Sequence, residues 1–186
     1  MLNFNFKPFP RLETDRLLLR RITKEDQSTL FLLKSDVQVL RYSDSAPATE
    51  MNEVLSLLNK IDQSIDANNG ISWGIALKEN NELIGTAGFW RTTPEHHRAE
   101  IGYNLLPEFW KKGIMTEALV RIFKYGFNEM NLHSVEANVN PGNLPSIKLL
   151  EKLGFEKEAY FKENYYFDGK FVDSVIYSLL VHKFTP

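Results

Sequence analysis

The sequence contains no cysteine. That absence removes disulfides, thiol nucleophiles and thiolate-built zinc sites, and it fits a reducing compartment. Long apolar runs are missing as well. No stretch approaches the roughly 20 apolar residues that a membrane-spanning helix needs. The opening M-L-N-F-N-F-K-P-F-P lacks the basic start and unbroken apolar segment of a signal peptide. Excess charge is also lacking: 22 Lys and Arg against 24 Asp and Glu leave a net charge of −2. No overall field therefore draws nucleic acid or an anionic membrane surface. The expectation is a soluble, cytoplasmic protein with no nucleic-acid or membrane partner. No repeat, low-complexity tract or Pro/Gly/Ser linker divides the chain, so residues 1–186 are expected to form a single domain.

Several chemistries fall away for want of a motif. There is no G-x-x-x-x-G-K-[ST], no G-x-G-x-x-G and no H-E-x-x-H. His96 and His97 are adjacent and cannot share one helix face, so no metal site is expected. The letters G-I-S-W-G at residues 70–74 match a nucleophile elbow. An elbow needs a strand before the Ser and a helix after it, and here the order is reversed.

What is present is an ordinary globular balance. Hydrophobic residues make up 43% of the chain, with 13 Phe, 7 Tyr and 3 Trp to fill a core. Residues 16–22 read as a strand. Thr23 and Asp26 form a capping-box pattern that opens a helix towards Leu40. Val54, Leu55, Leu58, Ile61 and Ile65 recur at helical spacing from about Thr49, and Asn68-Asn69-Gly70 stops that helix. Residues 72–78 and 83–90 form a hairpin across E-N-N-E, and 98–106 add a third strand. A helix over 116–130, a strand over 135–139, a short helix ending at Gly154 and two strands around Asp168-Gly169 complete the chain. The order β-α-α-β-β-β-α-β-α-β-β predicts a mixed α/β (α+β) domain.

Three places carry possible chemistry. In W-K-K-G-I-M-T-E-A-L, residues 110–119, Lys111, Lys112 and Gly113 lead into a helix. The first turn of a helix leaves N–H groups free and partly positive, and a glycine lets an anion approach the backbone, so this junction suits a pyrophosphate. The same pattern also describes a plain solvated loop. Glu100 lies in the strand A-E-I-G-Y-N-L, on the face opposite Ile101, Tyr103 and Leu105. It reads either as a solvated polar residue or as a general base tuned by partial burial. Asn143 and Ser146 flank Pro145 at the start of the short helix, as caps or as a polar pair aimed at a ligand.

Taken in order, these segments resemble the GNAT acetyltransferases, most closely the ribosomal-protein N-terminal (Rim-type) branch. The matching pieces are L-E-T-D-R-L-L-L-R, W-G-I-A-L with L-I-G-T-A-G-F, A-E-I-G-Y-N-L-L-P-E-F-W-K-K-G-I-M-T-E-A-L, and N-V-N-P-G-N-L-P-S-I-K-L-L-E-K-L-G-F. The resemblance implies a mostly antiparallel central sheet splayed in the middle, with helices on both faces. It implies acetyl-CoA as co-substrate, without a metal, held in a V-shaped gap between the strands at 101–106 and 135–139. Backbone near Leu105 and Leu106 would pair with the pantetheine arm. The N–H groups of Lys111, Lys112, Gly113, Ile114, Met115 and Thr116 would hold the pyrophosphate. Asn143 and Ser146 would approach the pantetheine and the thioester sulfur. N–H groups beside Leu106 would stabilise the thioester oxygen, Glu100 would take the proton of the attacking amine, and Ser146 would hydrogen-bond the leaving thiolate.

Two departures stand out. Many members carry a Tyr before G-F as a proposed acid, and the matching position here is Leu150. The coenzyme motif Q/R-x-x-G-x-G/A reads Trp110, Gly113 and Met115; Met115 is bulkier than the usual Gly or Ala and could tighten the loop against the coenzyme, but backbone N–H groups do the binding, so it is expected to be tolerated. The acceptor implied is a protein N-terminus. The alternatives are a small amine such as a polyamine, amino acid or aminoglycoside, or a silent acyl-CoA-binding module. Residues 42–53, with Asp44, Glu50 and Glu53, are expected to line the acceptor side, and exposed strand edges make a homodimer an expectation of the family.

Overall fold

The computed structural model describes residue 2 and residues 4–185. Its elements in chain order are β1 (Leu12–Glu13), β2 (Leu17–Arg20), α1 (Gln27–Ser35), α2 (Val37–Leu40), α3 (Met51–Asp66), β3 (Ile71–Leu77), β4 (Leu83–Thr93), β5 (Arg98–Leu105), α4 (Ile114–Asn128), β6 (Ser134–Val139), α5 (Leu144–Lys152), β7 (Glu156–Phe167) and β8 (Lys170–Leu180). The mixed α/β expectation holds. The helix expected over residues 23–40 is broken. Asp36 takes an extended ψ of 116°, and its carboxylate accepts from the Gln38 and Val39 amides, so it ends α1 and caps α2. The Thr23–Asp26 box is formed, with the Thr23 N–H donating to the Asp26 carboxylate at 2.8 Å.

Eight strands make one sheet in the order β1-β2-β3-β4-β5-β6-β8-β7. Every neighbouring pair is antiparallel except β5–β6, which is parallel. β4 supplies both faces: Leu83 and Ile84 are consecutive, so their side chains leave opposite sides. On one side Ile84, Phe89 and Ile101 pack under the stripe Ala118, Leu119, Ile122, Phe123 and Phe127 of α4. On the other, Leu30 of α1 and Val54 and Leu58 of α3 cover Ile22 and Leu83. Each of these large buried side chains contributes about 1.5–3 kcal/mol of transfer free energy. Helices therefore clamp both faces, and the sheet between them can diverge only where neighbouring strands stop pairing.

Candidate active site

That divergence occurs between β5 and β6. The two strands pair only at Arg98–Ser134, Ala99–Val135 and Glu100–Glu136. Beyond Glu100 the remainder of β5 keeps its partner β4, and the remainder of β6 keeps β8. The strands separate, and a cleft of about 700 Å³ opens at the split. Glu100, Tyr103, Ala137, Asn143 and Ser146 line it.

Glu100 sits at the apex, where pairing ends. It is 8% exposed. A bulge in β4 places Trp90 between Phe89, opposite Ile101, and Arg91, opposite Glu100. The extra residue brings the Arg91 guanidinium to 3.3 Å from the Glu100 carboxylate, while Arg91 also stacks 4.1 Å over the Trp90 ring. Burial pushes the Glu100 carboxyl above its ordinary pKa. Arg91 opposes that shift, the nearby Glu136 adds to it, and the net direction is upward. A carboxylate so tuned is a stronger base than one in water.

Across the cleft, the Tyr103 and Ser146 hydroxyls lie 2.7 Å apart and tie β5 to α5. Burial pushes the Tyr103 phenol up to about 12, against the lowering effect of Ser146, so the phenol is a neutral hydrogen-bonding group at neutral pH. Asn143 is the N-cap of α5, its side chain accepting from the Ser146 amide at 3.2 Å. The capping reading and the cleft-lining reading thus hold together for Asn143. Leu150 is fully buried in the core and presents no group to the cleft.

The backbone at the end of β5 has a defined polarity. The Leu106 amide donates to the Ile84 carbonyl at 3.0 Å, and the Leu106 carbonyl accepts from Phe109. Both polar groups of Leu106 are therefore engaged within the protein. Strand alternation turns the amide of Leu105 to the opposite edge, towards the split. The Leu105 carbonyl is held by the Trp110 indole N–H at 2.7 Å. The amide left without a strand partner is thus that of Leu105 and not of Leu106.

The loop Lys111–Lys112–Gly113 follows, outside the cleft lining. α4 begins at Ile114, two residues before the expected Thr116, because Gly113 adopts φ +75° and serves as N-cap. The first intrahelical bond runs from the Glu117 amide to the Gly113 carbonyl, which leaves the amides of Ile114, Met115 and Thr116 without helical acceptors. The Met115 side chain is buried in the core and is not positioned to tighten the loop. The first turn is clasped from the turn between β1 and β2: the Arg16 guanidinium donates to Glu117 at 2.7 Å and to the Lys112 carbonyl at 3.1 Å, and Thr14 donates to the same Glu117 carboxylate. Burial would raise the Glu117 carboxyl, but Thr14 and Arg16 outweigh it and hold it below the ordinary range.

The other half of the cleft is built by Tyr42, Ser43, Asp44 and Ser45, by Lys34 of α1, by Lys60 and Ile61 of α3, and by Tyr165 of β7. Asp44 lines the cleft, accepting from the Tyr165 hydroxyl at 2.6 Å. Glu50 and Glu53 are not part of the lining. Glu53 accepts from the Thr49 and Glu50 amides at 2.9 and 3.0 Å and caps α3, which consumes it structurally.

Comparison with known proteins identifies this arrangement. The Acetyltransferase (GNAT) domain family model matches residues 16–156. The chain belongs to the GNAT acetyltransferase family. The uncharacterized N-acetyltransferase YoaA of Bacillus subtilis is 37% identical over 172 residues, 92% of this chain and 97% of YoaA. The [ribosomal protein uS5]-alanine N-acetyltransferase of Escherichia coli is 30% identical over 188 residues, 96% of this chain and 95% of that protein. The crystal structure of a GNAT-family acetyltransferase from Bacillus anthracis superposes with a TM-score of 0.81 at 30% identity, covering 92% of this chain and 98% of that one.

As a GNAT N-acetyltransferase, the chain is an acyltransferase that acts on an amine. Its cleft brings together Glu100, Asn143 and Ser146, and leaves Leu105, Leu106 and residues 111–116 outside the lining. Three lining residues escape a reading by sequence pattern: Tyr103, Lys34 and Tyr165. Tyr103 carries the one usable signal, as a polar-tipped aromatic two residues beyond Glu100's neighbour Ile101. Lys34 lies in an ordinary amphipathic stretch, and Tyr165 lies on the penultimate strand, 121 residues from its partner Asp44.

Proposed function

We propose that this GNAT enzyme uses acetyl-CoA to acetylate the N-terminal α-amino group of a protein, a ribosomal protein in the first instance, by direct attack within a ternary complex. Residues 1–186 act as one domain in the cytoplasm. The observation that carries the reading is the convergence of a partly desolvated Glu100 and the Tyr103–Ser146 hydroxyl pair on one cleft at the β5–β6 split. The E. coli relative, named for acetylating a ribosomal-protein alanine, supports the choice of acceptor.

The residues present fit acetyl-CoA. The Leu105 amide, left without a strand partner by the end of β5–β6 pairing, would pair with the pantetheine arm. The free amides of Ile114, Met115 and Thr116, with Lys111, Lys112 and the open backbone at Gly113, suit the pyrophosphate. When bound, the coenzyme supplies the acetyl group as a thioester whose leaving thiolate has a pKa near that of an ordinary thiol. An α-amino group has a pKa near 7.7–8.0, against about 10.4 for lysine, so a sizeable fraction is already neutral at working pH. Glu100, directly or through a water, takes the proton that the nitrogen loses as the N–C bond forms and the C–S bond breaks. The Ser146 and Tyr103 hydroxyls hydrogen-bond the departing sulfur. Holding both reactants in line between β5 and α5 supplies much of the rate.

The test is thiol release from acetyl-CoA in the presence of peptides beginning with Ser, Ala or Met, beside polyamines, amino acids and aminoglycosides. The chain has no Cys, so every thiol detected is coenzyme. Peptide-dependent release is the expected result. Release with small amines alone would overturn the protein-acceptor reading, and silence with every acceptor would overturn the enzymatic one.

A further inference from the structure

The charged side chains of the cleft are unequally partnered. Four formally charged side chains line the cleft: Lys34, Asp44, Lys60 and Glu100. Both anions are already engaged, Glu100 with Arg91 at 3.3 Å and Asp44 with the Tyr165 hydroxyl at 2.6 Å. Neither cation is. Among the described residues, Lys34 and Lys60 form no ion pair. Asp36, two residues along from Lys34, is spent capping α2.

Lys34 is the more constrained of the two. It occupies the last turn of α1 and is half-buried, and its lining neighbours Ile22, Leu30 and Val39 are apolar. Its carbonyl accepts from the Ala48 amide at 2.7 Å, which fixes the helix end against the segment that follows Tyr42–Ser45. An ammonium held half out of water without a counter-charge is costly, and a ligand anion offsets that cost.

We infer that Lys34, seconded by Lys60, is the specificity determinant of the acceptor site, and that the acceptor is a primary amine carrying a carboxylate close to it. Acidic side chains near a peptide N-terminus and the carboxylate of a free amino acid share this chemistry. A polycation such as a polyamine would meet two ammonium groups that have no ion-pair partner. Burial also lowers the pKa of Lys34, the direction expected of a cation awaiting a partner. The inference deepens the acetyl-transfer reading of this cleft and rests on it.

The experiment measures kcat/KM for acetyl transfer to matched peptides Ala-Asp-, Ala-Gln- and Ala-Lys-, to alanine and alaninamide, and to spermidine. The wild-type enzyme should favour Ala-Asp- over Ala-Lys- on the order of tenfold. Alanine exceeding alaninamide assigns the carboxylate to a free amino acid, and the peptide series assigns it to a side chain. Lys34→Met, which keeps the apolar stem, should erase the preference. Lys34→Arg should keep it, and Lys34→Glu should reverse it. Peptides acetylated without regard to charge, or a preference unchanged in Lys34→Met, overturn this inference and leave N-terminal acetylation standing. Spermidine as the best acceptor overturns both. The wild-type ratio needs no variant, so a poorly folding substitution does not rescue the idea.

Discussion

Replacing Arg91 by Gln should move the pH dependence of acetyl transfer in a direction and by an amount that the geometry sets. Arg91 lies 3.3 Å from the Glu100 carboxylate and opposes the rise that burial imposes on that group. At the dielectric of water, Coulomb's law gives about 1.3 kcal/mol for unit charges at that separation. The Arg91 side chain is 63% exposed, so screening by solvent applies and the low-dielectric figures do not. A working value of about 1 kcal/mol corresponds to roughly 0.7 of a pH unit. Removing the cation lets the Glu100 pKa rise further, and the base is then protonated over a wider range of low pH. The ratio of Arg91→Gln to wild-type kcat/KM should therefore stay near one at high pH and fall to about one-fifth at low pH. Ionisation of the attacking amine is common to both enzymes and divides out of the ratio. Glu100→Gln should lose on the order of 10²–10³ in kcat, and its profile should keep only the amine's ionisation. A ratio flat across pH for Arg91→Gln, together with an unaltered profile in Glu100→Gln, would refute Glu100 as the base.

Ser146→Ala and Tyr103→Phe should each cost on the order of tenfold in kcat and together on the order of a thousandfold, because either hydroxyl can still serve the leaving sulfur when the other is gone; simple multiplication of the single effects in steady-state kinetics would show that they do not share the task. Asp26→Asn should destabilise the fold by about 3 kcal/mol in urea titration, since it breaks the paired bonds of 2.8 Å from Arg20 to a carboxylate only 7% exposed. Burial would raise the Asp26 carboxyl, but Arg20 and Thr23 hold it below its ordinary value. Its contribution is therefore present above an unfolded pKa of about 3.9 and is lost as pH falls below that, so the gap between wild type and variant should narrow in acid. Gly113→Ala should cost about 1–2 kcal/mol for placing a Cβ at φ +75°, and calorimetry should show weaker acetyl-CoA binding in step.

Local rules reached much of this molecule and failed at identifiable points. Capping and hydrophobic spacing located the helices, because Thr23 with Asp26 and the stripe from Ala118 to Phe127 act within a turn or two of themselves. The break at Asp36 escaped the same rules. Its carboxylate prefers the next helix's amides to continued helix, a choice between two local structures of similar merit. Glu50 and Glu53 read as acceptor-side acids because composition cannot tell a free carboxylate from one spent on the Thr49 and Glu50 amides. The strand order β6-β8-β7 depends on β8 inserting beside β6 after β7 has passed, which only contacts distant in sequence decide. Tyr103 is the instructive case. Period-two alternation assigns it to the core face with Ile101 and Leu105, and its ring does pack there. What carries its hydroxyl to Ser146 is the loss of β5–β6 pairing immediately after Glu100. A strand flanked on both edges would have had both rows of backbone polar groups committed to its neighbours. The same unpairing therefore frees the Leu105 amide, opens the cleft and brings the phenol to its partner, so the chemistry of this site follows from where a ladder stops.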